Sequence, residues 1–236
     1  MNLAAARRYW DQLASSDPMS AILTVAEKRS GRWDPDEFFA TGAADVASLI
    51  QKTSRWGVPT ARRQALDFGC GIGRITQPLA DHFEKVYGVD LSEGMLKHAR
   101  QRNRKGERCE YVWNRSAELR RFADASFNLI YSRLTLQHIR PCEVRSYLEE
   151  FLRLLAPGGL LYFQYPIHAI SAQLKFRLAW IRCFWLMQAQ PPMYVNGMNR
   201  NCVERLLERS SGRILEIEED PAAGAKYISY EYAVTK

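Results

Sequence analysis

Residues 67–74 read Asp67-Phe68-Gly69-Cys70-Gly71-Ile72-Gly73-Arg74, preceded by the apolar pair Ala65-Leu66 and followed by Ile75 and Leu79 at helical spacing. An acid at the end of a short apolar run, then alternating glycines, then a helix, describes a strand-to-helix turn. In such a turn the backbone can approach a ligand closely, and the N–H groups at the helix start face it. Two nucleotide-binding alternatives fail on the residues themselves. The dinucleotide fingerprint G-x-G-x-x-G needs glycine where Arg74 stands, and a phosphate loop needs a G-K-[ST] that does not follow. A second acid narrows the reading. Asp90 closes the run Val86-Tyr87-Gly88-Val89, about 20 residues beyond the glycines, where a carboxylate can accept hydrogen bonds from ribose hydroxyls. Ser92 is placed to cap the next helix.

Outward from this turn, strand-like runs alternate with helical patterns, as in a parallel sheet built from βαβ units. The runs are Ala65–Phe68, Val86–Asp90, Tyr111–Trp113, Phe127–Tyr131, Leu160–Phe163, Ile214–Ile217 and Ile228–Tyr232. Between the fourth and fifth, Val144, Tyr147, Leu148, Phe151, Leu152 and Leu155 form one apolar stripe at helical spacing, stopped by Pro157-Gly158-Gly159. A further helix is signalled by Asn199 as N-cap, by Val203, Leu206 and Leu207, and by Gly212 as its exit. Residues 220–226 are too few for a crossover, so the last two strands are expected to be antiparallel neighbours.

Five stretches, taken in order, carry a resemblance. They are Asp67–Gly73, Gly88-Val89-Asp90-Leu91-Ser92-Glu93-Gly94-Met95-Leu96, Ser126–Ile130, Leu136-Gln137-His138-Ile139 and Leu155-Ala156-Pro157-Gly158-Gly159. Together they resemble the ordered motifs of class I S-adenosylmethionine (SAM)-dependent methyltransferases, of the type 11, 12 or 25 kind. The likeness is close over residues 60–165 and holds in outline to Lys236. It implies an α/β, Rossmann-like fold with a seven-stranded, mostly parallel sheet, an antiparallel last strand and helices on both faces. It implies SAM as cofactor and S-adenosylhomocysteine (SAH) as product. By the same resemblance Gly69, Cys70, Gly71 and Gly73 form the loop under the methionine part, Asp67 lies near its ammonium end and Asp90 holds the ribose. Leu91 and Met95 flank adenine, with Ser116, Ala117 and Glu118 on its other side; many relatives carry Asp where Ser116 stands. Arg133 belongs to the same cofactor-binding set.

The domain expectation is an N-terminal helical cap over residues 1–60 and a SAM-binding domain over 61–236, with residues 167–198 inserted between the fifth and sixth strands, where the aromatic stretch 167–190 fits a lid, a dimer surface or core packing. If the acceptor is a hydroxyl or a protonated amine, a base must remove a proton. His138 after the fourth strand and His168 after the fifth are the candidates, while His82 and His98 are expected on helices away from that edge. Arg133, Tyr165, His168, Tyr194 and the aromatic stretch 167–190 are expected around the acceptor.

Composition bounds the rest. The 236 residues suit one large α/β domain with a small appendage. The charge of +7 is dispersed through short clusters such as Arg102–Lys105 and Arg120-Arg121, so nucleic acid is disfavoured as a partner. A cofactor domain with a modest cap and one insertion leads to the expectation of a small-molecule acceptor, with RNA or protein methylation, or SAM binding without turnover, as the alternatives. Ser132-Arg133-Leu134-Thr135 stands where amino-methylating DNA enzymes of this fold carry [DN]-P-P-[YF]. Five scattered cysteines without a C-x-x-C pair suggest neither a metal site nor disulfides and fit a reducing cytoplasm. The apolar stretch Leu174–Met187 is interrupted by Lys175, Arg177 and Arg182, so no membrane partner is expected.

Overall fold

The computed structural model describes residues 3–28, 31–116, 118–167, 195–224 and 227–236. Three helices precede the sheet: α1 (Leu3–Ser16), α2 (Pro18–Ile22) and α3 (Pro35–Trp56). Asp17 and Asp34 cap α2 and α3, each followed by a proline at the first helical position, where a missing N–H costs nothing. Gly57 ends α3 in the left-handed conformation at φ 68°.

The elements that follow are β1 (Gln64–Phe68), α4 (Thr76–Leu79), β2 (Lys85–Asp90), α5 (Glu93–Gln101), β3 (Cys109–Trp113), β4 (Phe127–Ser132), α6 (Pro141–Leu154), β5 (Leu155–Pro166), α7 (Arg200–Arg209), β6 (Arg213–Glu219) and β7 (Ser229–Thr235). The strands make one sheet in the order β3-β2-β1-β4-β5-β7-β6, with β1 to β5 parallel where they pair and β7 antiparallel to both β5 and β6. The expected fold class and the antiparallel last pair are therefore found.

Three local expectations change. The helix after the glycines has only four residues, because Gly73 at φ 85° lies outside right-handed helical space and the helix begins after it. His82 consequently sits in the turn before β2 rather than on a helix. Pro157-Gly158-Gly159 does not form a turn between α6 and the next strand but a bulge inside β5: Phe127 pairs with Leu155, and two residues later Leu129 pairs with Leu160.

Both faces of the sheet are covered. The α6 stripe Val144, Tyr147, Leu148, Phe151 and Leu152 is buried with Val203 and Leu207 of α7 against Phe68, Phe127, Phe163 and Tyr232. On the other face Val46 and Leu49 of α3 join Leu79, Phe83, Leu96 and Ala99 over Tyr131 and Tyr162. Each such aliphatic or aromatic side chain contributes about 2 kcal/mol through apolar burial. A third cluster ties the first helices to the cofactor half of the sheet, with Ala14, Met19, Ala21 and Phe38 against Ile72 and Met95.

Candidate functional site

Parallel pairing puts Phe68 opposite Val89, so the turn after β1 and the acid ending β2 lie side by side. Gly69 N and Cys70 N donate to the Val89 carbonyl at 2.8 and 3.1 Å. Asp90 knits the turn together: Oδ2 accepts from Gly71 N and Oδ1 from Ser92 N, both at 2.8 Å. Burial pushes the Asp90 carboxyl above the ordinary range, and these backbone donors oppose that shift. Gly69 stands at φ 77°, and a Cβ there would lie 2.1 Å from the Thr135 side chain; a Cβ on Gly71, at φ 53°, would lie 2.7 Å from Ile22 Cδ1. Side chains at either position would collide with these neighbours, so the bare backbone of the turn forms the cradle there.

That cradle opens on a cavity of about 610 Å³, within the span of small-molecule sites. Of the expected residues, Gly69, Gly71, Asp90, Leu91, Met95, Arg133 and His138 line it. Other expected residues stand elsewhere. Cys70 is buried in the core under the loop, and Gly73 packs on the Tyr111 hydroxyl. Asp67 lies beneath the turn at 3% exposure, where the Thr76 hydroxyl donates to it at 2.6 Å and burial raises its pKa to about 7.

Ser116 and Glu118 are exposed. The Ser116 hydroxyl donates to the Glu118 carbonyl at 3.0 Å, and the Ser116 carbonyl accepts from Tyr147 at 3.0 Å and from Asn114 at 2.8 Å. Asn114, directly after β3, and Tyr147 are the residues that line the wall there. Tyr165 was expected at the acceptor pocket and is instead fully buried in the α6–α7 core, because its place on β5 turns it to that face. Ala117, His168, Tyr194 and the stretch 168–194 lie outside the described residues.

The loop after β4 is the other wall. Leu134 adopts φ 59°, a conformation costing a non-glycine residue on the order of 1 kcal/mol. It is held by Leu134 N donating to Gln164 Oε1 at 3.2 Å. His138 ends the one-turn helix Leu136–His138 and meets Trp10 of α1 edge to face, ring centroids 5.4 Å apart. Arg133 donates to Asp45 Oδ1 at 2.8 Å and to Asp220 Oδ1 at 3.1 Å, while Arg74 donates to the other Asp45 oxygen at 2.7 Å.

Sequence reasoning missed Trp10, Ile22, Asp45, Asn114, Thr135 and Tyr147 as wall residues. The rule that ligands sit beyond the carboxyl ends of parallel strands would have found Asn114. Tyr147 was hidden by its fit to the α6 stripe, and Trp10, Ile22 and Asp45 stand in a segment without motifs. Among the described residues no group of three or more His, Cys, Asp or Glu is disposed to hold a metal, and no helix is long and apolar enough to cross a membrane.

Comparison with known proteins agrees with this geometry. Residues 66–163 match a family described as methyltransferase domain. A demethylmenaquinone methyltransferase of Clavibacter sepedonicus is 36% identical over 107 residues, 45% of this chain and 42% of that protein. A ubiquinone biosynthesis O-methyltransferase of Methylococcus capsulatus is 30% identical over 145 residues, 60% of this chain and 59% of that protein. The chain thus spans less than two thirds of the length of these relatives. In fold it is similar to magnesium protoporphyrin IX methyltransferase of Synechocystis PCC 6803 crystallised with SAH, with a TM-score of 0.70 at 16% identity and all of both chains covered. From the glycine turn through β5, the chain matches the methyltransferase-domain family, and its fold is similar to that of SAM-dependent methyltransferases.

Proposed function

We propose that this chain is an enzyme transferring the methyl group of SAM to an oxygen or nitrogen of a small organic molecule. The observation that carries the reading is the glycine turn, with Gly69 and Gly71 beside Asp90, lining a cavity that also holds His138. When bound, the cofactor would supply a methyl group on a sulfonium sulfur, to which an acceptor lone pair could bond in line as the carbon–sulfur bond breaks and its electron pair goes to sulfur. The chain's own contribution is alignment, which brings large effective concentrations when acceptor and methyl carbon are held together. Gly69 and Gly71 admit the methionine part, Asp90 accepts from the ribose hydroxyls, and Leu91 and Met95 flank the base. His138 takes the proton that an acceptor hydroxyl or protonated amine must lose. Residues 1–60 cap the site, as the placement of Trp10 and Ile22 on its wall supports, and residues 61–236 form the cofactor domain. A cytoplasmic setting fits the free Cys70, Cys109, Cys142 and Cys202.

The small-molecule acceptor is favoured over a polynucleotide by what the basic clusters do. Arg120 pairs with Glu118 at 2.6 Å, Arg121 with Glu110 at 3.3 Å, Arg104 with Asp36 at 3.1 Å and Lys105 with Asp81 at 2.6 Å. Cations already matched by carboxylates do not gather into a track for phosphates. The test is titration calorimetry with SAH, followed by SAH formation from SAM in the presence of fractionated small metabolites. Absence of SAH binding removes the reading; methylation of RNA but of no metabolite fraction replaces the acceptor class.

A further inference from the structure

Two arginines, Arg74 after the glycine turn and Arg133 after β4, converge on a residue outside the family-matched segment. Asp45 stands on α3 and presents its two carboxylate oxygens to two arginines on two different loops. Oδ2 accepts from Arg74, the residue directly after the glycine turn, and Oδ1 accepts from Arg133, the residue directly after β4. Arg74 is 4% exposed, so its cation depends on that carboxylate for compensation. The helix is also pressed onto the turn: a Cβ on Gly42 would lie 2.1 Å from the Arg74 carbonyl oxygen, and Thr41 Oγ1 accepts from Arg74 at 3.2 Å.

On the second loop, Arg133 leads into Leu134 at φ 59°, then into Thr135, whose side chain wedges against Gly69, and then into the turn bearing His138. One carboxylate therefore spans the walls that must stay in register for a cofactor and an acceptor to meet.

We propose that Asp45 is a positioning residue of the cofactor site, acting through Arg74 and Arg133 to hold the loops after β1 and β4 at the separation the cofactor needs. This rests on the methyltransferase reading above. Asparagine in its place keeps the shape but offers one acceptor and one donor, so it cannot serve both arginines.

The test uses the full chain and SAH by titration calorimetry. Binding by the wild-type protein checks the underlying reading, so its failure is distinguishable from failure of this inference. Asp45→Asn is expected to weaken SAH at least tenfold while the melting temperature without ligand stays within a few degrees of wild type. Combined with Arg133→Gln, the loss is expected to be smaller than the product of the two single losses, because the two residues act as one unit. Unchanged affinity in Asp45→Asn, or losses that multiply independently, overturns the proposal. If Asp45→Asn does not fold, hydrogen exchange on the wild-type chain decides. Amides of residues 41–49 are expected to slow on SAH addition together with those of 69–73 and 133–138. Protection of the glycine turn without any change in 41–49 overturns it.

Discussion

The rings of Trp10 and His138 meet edge to face at 5.4 Å, so the first helix of the chain touches the side chain proposed to take the acceptor's proton. An aromatic pair of this kind contributes about 1 kcal/mol beyond burial. Trp10→Ala is expected to slow SAH formation about fivefold by freeing the imidazole. His138→Ala is expected to slow it on the order of a hundredfold, the usual scale of lost acid–base catalysis. SAH affinity should change much less than turnover in the histidine variant. Equal losses in affinity and turnover would assign His138 to packing.

Asp90 offers a second prediction. Its carboxylate organises the glycine turn through Gly71 N and Ser92 N and is proposed to face the ribose. Asp90→Ala should weaken SAH by on the order of 2 kcal/mol, a few tens of fold in the dissociation constant. Calorimetry with unchanged affinity would place the cofactor elsewhere.

Asp67 predicts a pH dependence of stability. Burial raises its pKa to about 7 in the folded chain, whereas an unfolded aspartate titrates near 3.9. Between these values the folded state holds a proton that the unfolded state has released, so this group's contribution to stability falls as pH rises through that window and is flat above it. The full span is about 4 kcal/mol as an order of magnitude. Asp67→Asn removes the titration, so its stability relative to wild type should rise from pH 5 to pH 8 in denaturant melts. A difference independent of pH would show that Asp67 is ionised throughout.

Gly69 tests the cradle. Alanine at φ 77° costs roughly 1–2 kcal/mol in backbone strain, and its Cβ overlaps Thr135. Gly69→Ala should lower the urea midpoint clearly. Adding Thr135→Ala should recover the part due to overlap and leave the dihedral part. No recovery would mean that the turn has moved as a whole.

Much of the sheet was legible because short β-branched runs and the α6 stripe carry their periodicity openly: Val144 to Leu152 are buried as their spacing implies. Glycines and acids with local geometric duties were legible for the same reason, as Gly69 and Asp90 show. What was not legible depends on distant contacts. Nothing in the residues around Asp45 announces that α3 will meet Arg74 and Arg133, and the composition of Ala156-Pro157-Gly158-Gly159 does not distinguish a turn from a bulge inside a paired strand. Tyr165 was misplaced because strand parity relative to the sheet decides its face, and the start of β5 lies five residues earlier than its apolar run at Leu160.

The strand order carries a consequence for how the chain is made. β7 lies between β5 and β6 although it follows both in sequence, so until residues 229–235 are available β6 has no partner and β5 is paired on its β4 side alone. During synthesis β5, with Leu160, Leu161 and Phe163 on it, presents an open hydrogen-bonding edge while every strand before it is already paired. Unpaired edges of that kind recruit other chains. Substitutions that weaken β7, such as Ala233→Pro, should therefore appear first as aggregation of newly made protein rather than as a lower melting point of the folded fraction.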